Sequence, residues 1–162
     1  MASHDRGLIA LAEGDHPLAA TLLAESLVEG APVSWPQTRL ALAEALARSG
    51  QPERAAVEIR ATVLEPVRPS DFPEALVPKL ARVQALIALT NGEPAEAERR
   101  LQESIAGWER MLERTARAES ITTVLADLGR PVVGLVEPER ELERARAELQ
   151  AIKQGGISAV VA

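Results

Sequence analysis

The sequence predicts an all-α fold built from stacked antiparallel helical hairpins. Hydrophobic residues make up 46% of the 162 residues but aromatic residues only 2%, and alanine, the best helix former, supplies much of the apolar share. Few aromatic and β-branched runs argue against a sheet. A glycine followed five residues later by an alanine recurs at Gly14 and Ala19, at Gly50 and Ala55, and at Gly92 and Ala97. Such recurrence is typical of stacked helical repeats.

The first hairpin is expected over about residues 2–28, with helices over about 2–13 and 17–28. Gly14 suits the left-handed residue that ends a helix, and Asp15 can cap the next one. Leucines recur at helical spacing in the second helix, at Leu18, Leu22, Leu23 and Leu27. They predict one buried face.

The second hairpin is expected over about residues 34–65. Ser34 followed by Gln37 has the spacing of a capping box, which marks the start of a helix. That helix should run to Ser49 and stop at Gly50. Pro52 then starts the next helix, because proline is favoured in the first turn, where its missing N–H is not needed.

The third hairpin is expected over about residues 71–113. Asp71 and Glu74 again have capping-box spacing. Pro78 leaves two alternatives: it kinks this helix, or a short turn over residues 72–76 precedes a helix that starts near Pro78, which we favour. The helix should end at Gly92, and its partner should run from Pro94 to about residue 113.

Beyond residue 113 the repeat pattern loosens. A helix is expected over 116–128, closed by Gly129, and a strongly charged last helix over about 137–153. Together, residues 116–153 are expected to form a degenerate fourth hairpin that caps the stack. The chain is thus interpreted as one domain over residues 1–154, with a frayed apolar tail over 155–162.

Small residues recur in phase with the turn glycines. Seven residues before each glycine stand Gly7, Ala43 and Ala85, and twelve residues after it stand Ser26, Thr62 and Ser104. With the glycine–alanine pairs, these positions resemble tetratricopeptide repeats over roughly the first two-thirds of the chain. The sequence departs from that pattern at the aromatic positions of the first helix, which hold Ser3, Arg39 and Ala81.

The resemblance implies a short right-handed solenoid similar to the divergent C-terminal repeat arrays of bacterial regulators. Maltose-activator-type transcription factors and signalling ATPases carry such arrays as sensor or partner-binding segments. Because the first helix begins almost at Met1, the chain resembles the end of such an array.

The sequence offers little material for catalysis or for a cofactor. There is no cysteine, and the two histidines, His4 and His16, would need to converge with a third group to form a metal or acid–base site. Most carboxylates stand in helix-surface pairs such as Glu96 with Arg100. Since no phosphate-binding loop or nucleophile elbow occurs, we expect no enzyme and no cofactor.

Charge and hydropathy also limit the partners. The net charge is −6, and acidic and basic residues alternate along the same helices, whereas a nucleic-acid surface needs a segregated basic face. No apolar run reaches the roughly 18 residues of a membrane span. The first residues lack the hydrophobic core of a signal peptide. We therefore expect a cytoplasmic protein that binds neither nucleic acid nor membrane.

The repeat resemblance implies a concave groove lined by the first helix of each hairpin. The candidate binding residues are Gln37, Leu40, Glu44, Arg48, Lys79, Arg82 and Leu86. Arg48, Lys79 and Arg82 could together receive a carboxylate or an acidic peptide. The alternative is a solvated rim with Leu86 packed in the core.

The two tryptophans are interpreted separately. Trp108 continues a stripe of apolar residues and is expected in the core. Trp35 follows a helix start and either packs against the preceding loop or anchors an interface.

The leading functional hypothesis is a non-catalytic repeat domain that binds a protein or peptide partner in its groove. The alternative is a segment of a larger bacterial transcriptional or signalling regulator that senses a small molecule or forms a homo-oligomer. An open groove with a basic rim favours the first, and a compact leucine-lined pocket favours the second.

Overall fold

The computed structural model describes residues 2–29, 35–64, 76–126, 138–156 and 160–161. These ranges contain seven α-helices and no β-strand, which confirms the predicted all-α class. The helices are α1 (Ser3–Glu13), α2 (His16–Val28), α3 (Trp35–Arg48), α4 (Pro52–Leu64), α5 (Leu76–Thr90), α6 (Pro94–Ala126) and α7 (Pro138–Lys153).

Short turns join α1 to α2, α3 to α4 and α5 to α6, and each contains one of the repeated glycines. Gly14, Gly50 and Gly92 have φ values of 83°, 74° and 75°, a backbone region that other residues rarely adopt. At Gly14, the residue's own N–H donates to the Leu11 carbonyl, and the Asp15 N–H donates to the Ala10 carbonyl at 2.9 Å. The other two turns repeat this bonding, which satisfies the last carbonyls of each helix.

The helix starts agree with the predicted caps where they are described. Asp15 Oδ1 accepts a hydrogen bond from the Leu18 N–H at 3.2 Å, and Pro52 and Pro94 are the first residues of α4 and α6. Pro78 is the third described residue of α5, and most of the turn predicted over residues 72–76 lies outside the described residues. The proposed caps at Ser34 and Asp71 and the turn at Gly129 lie outside the described residues.

Small residues at the repeated positions allow the helices to approach closely. Ala19, Ala55 and Ala97 have no exposed surface. At Gly7, an added Cβ would lie 2.7 Å from Leu23 Cγ and 3.2 Å from the Leu23 N. Helices α1 and α2 therefore meet at a spacing that leaves no room for a side chain at residue 7.

The first helices of the three pairs contact one another in sequence order. Helix α3 packs against α1 and α5 as well as against its own partner α4. The core runs through all three pairs, and it includes Leu23, Leu46, Leu86 and Leu101. Trp108 is fully buried, which confirms its predicted core position; the side chain of Trp35 lies outside the described residues.

The C-terminal part of the chain differs from the predicted capping hairpin. Helix α6 continues from Pro94 to Ala126, so the helix expected to end near residue 113 and the helix expected over 116–128 are one. The reason is local: residues 113–116 read Glu-Arg-Thr-Ala, without a glycine, a proline or a capping signal that would end a helix.

The expectation of a frayed tail also needs correction. Gly155 repeats the turn geometry of the other three glycines, with φ 76° and the Gly156 N–H donating to the Ala151 carbonyl. Five residues later, Val160 is only 5% exposed. Val160 and Val161 thus pack against the domain, whereas residues 157–159 and 162 of the expected tail lie outside the described residues.

Among the described helices, none combines the length and the apolar character needed to cross a lipid bilayer.

Candidate functional site

A cavity of about 250 Å³ lies where α1, α3 and α5 meet, with α7 along one side. We call it the central cavity. Five of the seven candidate binding residues line it: Gln37, Leu40, Glu44, Lys79 and Arg82. The structure therefore places candidate residues from α3 and α5 around one cavity. Before this, only the repeat pattern linked them.

The base of the central cavity is apolar. Leu40, Leu76 and Val83 line it and are at most 4% exposed. On the α1 side it is lined by Leu11 and by Leu8, which keeps 41% of its surface exposed. The cavity thus has an apolar base, and a bound molecule could cover the exposed Leu8 on its α1 side.

The Arg82 guanidinium lies beneath α7, which corrects both its expected role as an open groove cation and the alternative of a solvated rim. Its side chain is only 5% exposed. Arg82 Nε and Nη2 donate to the Glu148 carboxylate at 2.8–3.1 Å, and Nη1 and Nη2 donate to Glu44 at 3.2 and 3.1 Å. Two carboxylates of the chain itself hold the cation that was expected to receive a partner's carboxylate.

Glu44 is the other centre of this ion-pair network. Besides Arg82, it accepts from Arg48 Nε at 3.1 Å and lies 3.6 Å from Arg144 Nη2. Burial alone would raise the pKa of Glu44, but the charge and hydrogen bonds of Arg82, helped by Arg48 and Arg144, lower it to about 2. Burial would lower the pKa of Arg82, but Glu44 and Glu148 raise it. Glu44 and Arg82 therefore stabilise each other's charged form.

Two candidate residues do not face the central cavity. Arg48 Nη1 donates to the Val160 carbonyl at 3.0 Å, and its side chain is 8% exposed. Leu86 is 2% exposed and belongs to the core, so the alternative that placed it in the core was right. Arg48 is covered by the segment that follows α7, and Leu86 packs in the core between the helices.

Among the three candidate cations, Lys79 is the one whose ammonium group pairs with no described side chain. It lines the central cavity, is partly exposed, and forms no hydrogen bond or ion pair with any described residue. Gln37 is exposed at the same edge. A carboxylate or a peptide carbonyl entering the cavity would meet these two side chains first.

The histidines serve local structure. His4 Nδ1 lies 3.0 Å from Thr38 Oγ1, a contact that joins α1 to α3 beside the central cavity. His16 is the first residue of α2, and burial together with the Arg48 charge lowers its pKa. In the described part of the chain, no cluster of three acidic or histidine side chains could hold a metal ion.

Sequence reasoning missed the residues that α7 contributes to the site. Glu141 and Arg144 line the central cavity, and Glu148 binds Arg82, whereas the sequence had predicted only a strongly charged last helix there. A signal was present: Glu148 stands seven residues before Gly155, as Gly7 stands before Gly14. That phase relates α7 to the first helices of the hairpins, which form the groove.

Comparison with known protein families, with curated proteins and with solved structures finds no match to this chain.

Proposed function

We propose that this chain is a non-catalytic tetratricopeptide-like domain that binds a peptide segment of a protein partner in its central cavity. The observation that carries the proposal is the convergence of Gln37, Leu40 and Lys79, with the paired Glu44 and Arg82, around one cavity that has an apolar base and a polar rim. Three short-turn helix pairs whose first helices touch in sequence order support a stacked helical array of this type.

The size of the central cavity favours a peptide side chain. Its volume of about 250 Å³ is below the roughly 300–1,000 Å³ of pockets that enclose whole small ligands. One apolar side chain fits against Leu40, Leu76 and Val83. A carboxylate or carbonyl of the same segment can then reach Lys79 at the rim.

Filling the cavity tests the proposal. Ala41 lines it, so Ala41→Trp should occupy the space meant for the partner's side chain. Binders would be selected from a displayed library of random peptides on the wild-type chain and measured by calorimetry on the variants. Val57→Trp is the matched control, because Val57 is 51% exposed on α4, away from the cavity.

The expected result is that selected peptides bind the wild type and the Val57→Trp chain alike and lose at least about tenfold in affinity for Ala41→Trp, as expected for a filled anchor pocket. Circular dichroism checks that each variant is folded. Peptides that bind Ala41→Trp as tightly as the wild type would place the binding site elsewhere and overturn the proposal.

A second candidate is a sensor of a small molecule, which the compact leucine-bearing base of the cavity favours. It predicts that a small apolar acid raises the melting temperature of the wild type but not of Ala41→Trp. A homo-oligomeric form of this candidate would show a concentration-dependent sedimentation coefficient. Peptide binding with neither effect would exclude it.

A further inference from the structure

Helix α7 packs against α6 and buries three of its own residues. Its buried residues are Leu142, Ala145 and Ile152, whereas ten residues of α5 are buried. Elements with few buried apolar contacts open at lower free energy than the core. Polar contacts therefore supply part of the attachment of α7, beside its packing on α6.

Those polar contacts converge on the surface that α3 and α5 present. Glu148 of α7 is bound by Arg82 through Nε and Nη2. Arg144 lies 3.7 Å from Glu148 and 3.6 Å from Glu44. Beyond α7, the carbonyl of Val160 accepts a hydrogen bond from Arg48. We call the surface formed by Glu44, Arg48 and Arg82 the α7 groove.

The buried charge of Arg82 in the α7 groove determines which kind of segment could replace α7. Removing Glu148 without a substitute leaves the buried Arg82 with one of its two carboxylates, and a buried charge that loses a partner is costly. Another carboxylate delivered to the same place restores the pairing. Exchange of one acidic helix for another is therefore favoured over simple release of α7.

Building on the proposed function, we propose that the partner segment is an acidic amphipathic helix that exchanges with α7, its carboxylate replacing that of Glu148 on Arg82. The apolar face of such a helix takes the place of Leu142 and Ala145. The negatively charged groups that meet it are Glu44 in the groove and Glu109 on α6, which now binds Arg146 of α7 at 2.8 Å.

The test uses the helix that the groove is known to hold. A fluorescent synthetic peptide with the sequence of residues 138–156 is titrated into the full chain, and binding is followed by anisotropy. The chain is used as wild type, as Glu148→Gln and as Glu143→Gln. Glu143 is an exposed residue of α7, so its change removes the same charge without touching Arg82.

We expect the peptide to bind the Glu148→Gln chain about tenfold more tightly than the wild type, because the chain's own α7 competes less once its charge-assisted hydrogen bonds are weakened. The Glu143→Gln chain should match the wild type. A peptide carrying Gln at position 148 should bind the Glu148→Gln chain about tenfold more weakly than the native peptide.

Hydrogen exchange gives a readout that does not depend on any variant. Saturating peptide should speed the exchange of the α7 amides in the wild-type chain by about tenfold or more, since a displaced helix loses its protection. Equal affinity of the two peptides, or unchanged α7 exchange with peptide bound, would overturn the inference. If library peptides nevertheless lose affinity for Ala41→Trp, the proposed function stands and only the exchange of α7 is wrong.

Discussion

Arg82 on α5 and Glu148 on α7 are 66 residues apart in the sequence, and Arg82 Nη2 lies 2.8 Å from Glu148 Oε1. This contact places α7 on the face that the first helices of the hairpins share. It also means that Arg82, the most buried cation of the predicted groove, binds carboxylates of the chain itself instead of facing the open groove. The central cavity beside it is therefore bounded by α7 as well as by α1, α3 and α5.

Loss of Arg82 should destabilise the domain strongly. Arg82→Met leaves Glu44 and Glu148 close together without the cation between them, and breaking a buried pair in this way costs about 3–5 kcal/mol. Urea unfolding at pH 7 measures the loss. Arg146→Ala is the control, because its ion pair with Glu109 is roughly half exposed and should contribute less than about 1 kcal/mol. Equal effects of the two changes would contradict the role assigned to Arg82.

Stability should fall in acid because of Glu44. Its pKa is about 2 in the folded chain against about 4.3 for an unperturbed glutamate, so the folded state binds fewer protons in that window. The stabilisation is present above about pH 4.5 and is lost as the pH falls toward 2. Other carboxylates titrate in the same range, so the measurement is the difference between wild type and Glu44→Gln in urea unfolding across pH 2–6. A constant difference across that range would contradict the prediction.

Gly7→Ala should destabilise the α1–α2 contact. The new Cβ would lie 2.7 Å from Leu23 Cγ, and overpacking of this kind costs about 1–3 kcal/mol, more than the roughly 1 kcal/mol that alanine gains over glycine in a helix. A double-mutant cycle with Leu23→Ala checks the cause. In the Leu23→Ala background, Gly7→Ala should become neutral or stabilising; an unchanged penalty would point to another origin.

Gly50→Ala should destabilise the domain only through the backbone conformation at residue 50. Its φ is +74°, and an added Cβ would meet nothing within 4 Å, so the cost is the left-handed conformation, about 1–2 kcal/mol. Gly50→Asn should cost less, since asparagine tolerates this region better. Thermal unfolding of both variants measures the difference. If the two variants were equally stable, the turn would not depend on the backbone conformation.

Much of the fold was predictable from local chemistry. Gly14, Gly50 and Gly92 mark their turns because the conformation that ends each helix disfavours other residues. Ala19, Ala55 and Ala97 mark the close contacts because a larger side chain does not fit there. The continuation of α6 past residue 113 was missed because weak periodicity was interpreted as a break, although no residue there ends a helix.

The candidate site was predictable only in part. Gln37, Leu40 and Lys79 line the central cavity because the repeat phase places them on the same face. Leu86 follows that phase as well, yet it is buried, since periodicity gives the direction of a side chain but not what covers it.

The sequence by itself determined the helices, their turns and the residues that allow close packing, because each depends on neighbours within a few positions. The tertiary structure alone decided where α7 lies, and so which charges are free and which are paired. The pairing of Arg82 with Glu148 and Glu44 depends on three helices far apart in the chain. The phase of Glu148 with Gly155 relates α7 to the groove helices, but no local pattern encodes which of their charges pair. That pairing leaves Lys79 as the candidate cation without a partner among the described residues.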